Sequence, residues 1–136
     1  MKRCRMKNTI FILGIIMTVN AQILNQKIDQ KTGQDIPVGI ALGSHIQDDR
    51  YGEWYDKEYK DYLPDNDIAG AITDFVGGVV FETYMGTWCE DSRREVPRFF
   101  KVLDHVEFLA ETMRLVMVDR DKKSGTDAEE GKNIHH

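Results

Sequence analysis

The sequence predicts an α/β fold, and three features of its second half carry that expectation. Val79-Val80-Phe81-Glu82-Thr83-Tyr84-Met85 is rich in β-branched and aromatic residues and reads as a strand. Val96, Phe99, Phe100, Leu103, Val106 and Ala110 then recur at helical spacing through about Glu111. Arg114-Leu115-Val116-Met117-Val118 reads as the next, parallel strand. The first strand is mostly apolar over its length, which suits a central strand covered on both faces.

The elements ahead of this unit come in order. Lys2, Arg3, Arg5 and Lys7 form a basic start, and Thr9 to Val19 is an apolar run of about 11 residues, short of the ~20 needed to cross a bilayer. With small residues at Val19-Asn20-Ala21, residues 1–21 read as an export signal, and no retained membrane anchor is expected. Gln22 to Pro37 is polar, with a turn at Lys31-Thr32-Gly33, and Val38 to Leu42 is a candidate short strand. Tyr51, Trp54, Tyr55, Tyr59 and Tyr62 fall at helical spacing, which predicts an amphipathic helix over Tyr51–Tyr62 with an aromatic face turned to the core. Residues 22–62 are thus an N-terminal extension carrying one amphipathic helix. Leu63-Pro64-Asp65-Asn66-Asp67 ends that helix and caps another, roughly Ile68 to Phe75, before a Gly77-Gly78 turn.

Charge narrows the partners. The formal charge is −5, and loss of residues 1–21 removes four basic and no acidic side chains, which takes it to −9. So acidic a domain argues against nucleic acid and anionic membranes. Of two cysteines, only Cys89 lies beyond the export signal. A lone thiol in an oxidising compartment is either reactive or awaits a partner.

Cys89 falls where the apolar strand gives way to a helix. Backbone N–H groups and the helix dipole there favour a thiolate. Arg93 and Arg94 add to that preference, whereas Glu90 and Asp91 oppose it, so the net sign stays open at this level. Ser92 has two readings: a donor to the thiolate, or a helix cap in a Ser-x-x-Glu box with Glu95. Pro97 inside the helical pattern removes a hydrogen bond and should kink the helix. Elsewhere, Asp119, Asp121 and Glu130 imitate a calcium loop, but Lys123 and the placement of Gly125 do not fit one, and a solvated acidic loop is expected. His135-His136 lacks nameable ligand partners, His45 and His105 are isolated, and no metal or cofactor site is expected.

The stretch Gly86-Thr87-Trp88-Cys89-Glu90-Asp91-Ser92-Arg93-Arg94-Glu95-Val96-Pro97 resembles the active-site segment of the thioredoxin-like superfamily. In that family Trp-Cys-x-x-Cys opens a helix, with a proline eight residues after the first cysteine. Cys89 and Pro97 keep this offset, and Ser92 replaces the second cysteine. The likeness covers roughly Phe75 to Asp121, less than half the chain. It implies a thioredoxin-like α/β fold with Cys89 and Ser92 at the catalytic positions, Cys89 as the single reactive thiol and Ser92 as a hydrogen-bond donor to it. Trp88 would shield the sulfur, and Glu90, Asp91 and Pro97 would support the site. It also implies a proline-bearing loop and further strands that do not occur before His136. Residues 63–136 are therefore expected to be an incomplete thioredoxin-like domain. The implied activity is monothiol thiol–disulfide exchange or mixed-disulfide formation, with protein or small-molecule thiols and disulfides as partners, in a periplasmic or secreted setting. The alternatives are a non-catalytic binding module on the same fold and an inactive truncated fragment.

Overall fold

A computed structural model describes residues 23–109 and 113–134. The expected export signal over 1–21 and the His135-His136 pair lie outside the described residues. The element order is β1 (Ile23–Ile28), β2 (Asp35–Leu42), a 3₁₀ turn (Gly43–Gln47), α1 (Gly52–Asp61), α2 (Asn66–Thr73), β3 (Glu82–Met85), α3 (Glu90–His105) and β4 (Arg114–Met117). The strands form one mixed sheet in the order β1-β2-β4-β3, antiparallel except for the β3–β4 pair, which is parallel. The fold is mixed α/β.

The amino-terminal half is built into this sheet. β1 was not legible as a strand, because Asn25, Gln26 and Lys27 carry little β propensity. It is an edge strand, exposed except for half-buried Leu24, which packs against the core, and is held mainly by backbone pairing to β2. β2 begins at Asp35, three residues before the predicted start, and contains Pro37. Pairing with β4 runs only over Gly39–Leu42, so the N–H that proline lacks is not required there. Gly39 is obligatory: its φ is +124° and an added Cβ would lie 1.9 Å from the Ile23 carbonyl oxygen. The segment 22–62, expected as an extension ahead of the domain, instead contributes two strands to the common sheet and α1 to the common core.

α1 and α3 pack together over one sheet face. Their core joins Ile46, Tyr51 and Tyr55 to Phe100 and Leu103, above Ala41, Met85, Leu115 and Met117 of the strands. The aromatic face of α1 packs as predicted. Tyr55 stands edge-on to Phe100 at 6.0 Å between centroids and stacks on Tyr59 at 5.7 Å.

Three expectations are corrected. The strand predicted over Val79–Met85 is only Glu82–Met85 and lies at the sheet edge, with Val80 87% exposed. β4, not β3, has flanking strands on both sides, and its Leu115, Val116 and Met117 are fully buried. Apolar character signals burial of a strand without fixing its place in the sheet. The helix expected to run to about Glu111 ends at His105. Glu107 takes φ +59°, its N–H reaches the Asp104 carbonyl, and the Phe108 N–H reaches that of Leu103. This is a Schellman closure in which glutamate occupies the usual glycine position, so the sequence carries no stop signal. Phe108 then folds back against Phe81, 5.0 Å between centroids. Finally, the 119–130 loop is not simply solvated, since Asp119 and Glu129 turn inward and are 4% and 8% exposed.

Candidate functional site

β3 and β4 run parallel, so the segments leaving both strands emerge at the same sheet edge. From β3 the chain passes through Gly86, Thr87 and Trp88 to Cys89, the N-cap of α3. A turn closed by the Cys89 N–H on the Gly86 carbonyl, 3.0 Å, brings the thiol to the first turn of the helix. Cys89 is partly exposed and is a free cysteine.

The thiol is held below its ordinary value. Burial is the largest single influence and pushes it up, but the Ser92 N–H, the Ser92 hydroxyl and the Asp91 N–H together outweigh it by stabilising the thiolate. The Asp91 charge works against them. These donors act on the anion, since the Cys89 side chain forms no capping hydrogen bond. The question of sign left open by the sequence is thus answered mainly by helix N–H groups and one hydroxyl.

Each expected site residue has a definite place. Ser92 sits in the first turn of α3, not at its N-cap, so the Ser-x-x-Glu box is not formed. Its Oγ accepts the Gly86 N–H at 3.3 Å, which leaves its own proton for the sulfur. Asp91 pairs with Arg94 at 2.8 Å on the exposed face of the helix. Glu90 is exposed in the first helical turn, where it is favourable to the dipole. Arg93, expected to favour the thiolate, instead donates through Nε to the Thr87 carbonyl. Pro97 is fully buried in α3 within the core.

Trp88 is fixed on several sides. Its Nε1 donates to the Val118 carbonyl at 2.9 Å. The ring lies so close to Gly86 that a Cβ there would come within 2.4 Å of Nε1. Arg120 and Lys122 place their cations 4.7 and 4.6 Å from the ring centroid.

Arg120 was missed by sequence reasoning, as was the residue that holds it. Its guanidinium binds Asp29 through Nε and Nη2, at 2.6 and 2.8 Å, and its charge interacts with that of Cys89. Asp29 lies just past the end of β1 and is buried. It also accepts from Thr32 Oγ1 at 2.7 Å, and the guanidinium beside it holds its carboxyl well below the usual carboxylate range. Lys27 bonds Asp119 in the same region. A shallow pocket of about 340 Å³ opens among Lys27, Ile28, Lys31, Ile36, Asp119 and Arg120. The signal that could have located Arg120 was its position just after a strand parallel to β3.

Among the described residues no group of three or more His, Cys, Asp and Glu side chains converges as a metal site. No helix among them is long and apolar enough to cross a membrane. Comparison with protein-family models, curated proteins and solved structures found no match for this chain.

Proposed function

We propose that this is an exported, thioredoxin-like protein whose Cys89 takes part in thiol–disulfide exchange as a monothiol site. The observation that carries the reading is the partly exposed Cys89 thiol at the N-cap of α3, held below its ordinary value by helix N–H groups and Ser92. The parallel β3–α3–β4 unit, with Cys89 at its first junction and Pro97 eight residues on, supports the family resemblance. Export rests on the sequence pattern of residues 1–21 alone. The acidic charge favours protein or small-molecule thiols and disulfides over nucleic acid as partners.

The chemistry is a displacement at sulfur. The Cys89 thiolate attacks one sulfur of a substrate disulfide, a new S–S bond forms to Cys89, and the other sulfur leaves as a thiolate. The Ser92 hydroxyl has no sulfur with which to resolve this mixed disulfide. An external thiol must attack next, expelling either the Cys89 thiolate or the bound sulfur. Oxidised glutathione is a suitable test substrate. Peptide mass mapping of the folded protein should show glutathione at Cys89, released by added thiol and absent from that position in Cys89→Ser.

Replacement of the resolving sulfur by Ser92 favours a second reading, a thioredoxin-fold binding module without turnover. Under that reading the folded protein forms no mixed disulfide faster than an ordinary free thiol does.

A further inference from the structure

The Asp29 carboxylate comes from the β1–β2 hairpin, yet its strongest partner belongs to the segment after β4. Asp29 is buried, with a side chain 1% exposed, and its carboxylate spans the Nε–Nη2 edge of Arg120. The same guanidinium also lies over the Trp88 ring. A bidentate pair of this kind fixes the plane and position of the arginine, not only its charge. Trp88 immediately precedes Cys89, and its indole is tied down by Val118 and by the close approach to Gly86. Asp29, Arg120, Trp88 and Cys89 therefore form one continuous chain of contacts across three elements.

We infer that the Asp29–Arg120 ion pair is a positioning element for Cys89, which fixes the Trp88 indole and a guanidinium charge at the start of α3. The amino-terminal hairpin is then part of the thiol site. This rests on the reading of Cys89 as a reactive thiol. It deepens that reading by naming what holds the side chains beside the thiol in place.

The charged groups on the elements packed around the thiol decide what the pair contributes. α3 brings Glu90, Asp91, Arg93 and Arg94; Asp91 is paired with Arg94, and Arg93 is committed to the Thr87 carbonyl. The segment after β4 brings Arg120 and Lys122, with Asp119 bound to Lys27 of β1. Asp29 is the carboxylate that neutralises Arg120. Removing either member of the pair should therefore move the Cys89 ionisation midpoint, and the two removals should move it in opposite directions.

The test is the rate of Cys89 alkylation by iodoacetamide as a function of pH, in the full chain, with the modified peptide identified by mass. Arg120→Met leaves the Asp29 charge uncompensated, and the midpoint should rise by about half a unit. Asp29→Asn leaves the Arg120 charge uncompensated, and the midpoint should fall by about as much. Arg120→Lys keeps the charge and should stay nearer the parent than Arg120→Met does. Should Arg120→Met fail to fold, Asp29→Asn and Arg120→Lys decide between the two accounts. Midpoints that stay put, or that move in the same direction in folded Arg120→Met and Asp29→Asn, overturn the inference and leave the pair a structural clamp. The readout is independent of disulfide exchange. If Cys89 forms no mixed disulfide while these shifts occur, the functional reading fails and the positioning role stands.

Discussion

The Ser92 hydroxyl is the one side-chain donor that lowers the Cys89 ionisation midpoint, and Ser92→Ala removes it while leaving the helix backbone in place. A hydrogen bond to a charged group contributes about 1.5–3 kcal/mol when well buried. A thiolate is a weaker acceptor than an oxyanion, and Cys89 is partly exposed to screening water. About 1 kcal/mol is therefore the appropriate size for this contact. At about 1.36 kcal/mol per unit, the Cys89 midpoint should rise by about 0.7 unit in Ser92→Ala. At a pH well below the midpoint this lowers the thiolate fraction, and the alkylation rate, by about fivefold. The Asp91 and Ser92 N–H groups remain, so most of the helix contribution survives. The alkylation rate followed through a pH series, with the modified Cys89 peptide identified by mass, measures the midpoint. A midpoint unchanged in a variant with the parent's circular dichroism would refute the assigned role of the hydroxyl.

The same geometry sets three further outcomes. Ser92→Cys puts a second thiol in the first turn of α3, three residues after Cys89, so the oxidised variant should close a disulfide between the introduced thiol and Cys89, read as the loss of both free thiols. Gly86→Ala drives a Cβ to 2.4 Å from the indole Nε1 and should displace Trp88, which a shift in tryptophan fluorescence and a change in Cys89 alkylation rate would report. Asp29 has a folded value depressed below its ordinary 3.8, so its contribution to stability is complete above that pH and is lost as pH falls through the folded value. Urea midpoints of the parent should therefore drop steeply below about pH 4, and those of Asp29→Asn should drop less over the same interval.

How much of this was legible depended on whether local signals matched tertiary position. The Cys89 to Pro97 spacing and the aromatic face of α1 were readable, because helical periodicity and strand-to-helix junctions are local properties. β1 was not readable, because an edge strand paired through its backbone needs no apolar pattern. The edge position of β3 was hidden by valines that stay exposed. The end of α3 was hidden by a glutamate in the left-handed conformation. Arg120 looked like one charge among many in Asp119 to Lys123. Its role came from Asp29, 91 residues away in sequence.

The proposed function requires that the fold activate Cys89. The most direct measurement compares the rate of Cys89 with a disulfide reagent in the native protein and in the urea-unfolded chain, at about pH 6 and with the product peptide identified so that Cys4 does not contribute. Native Cys89 should react faster than unfolded Cys89, with the advantage shrinking as pH rises towards the ordinary thiol value. A native rate equal to or below the unfolded rate at every pH would contradict it.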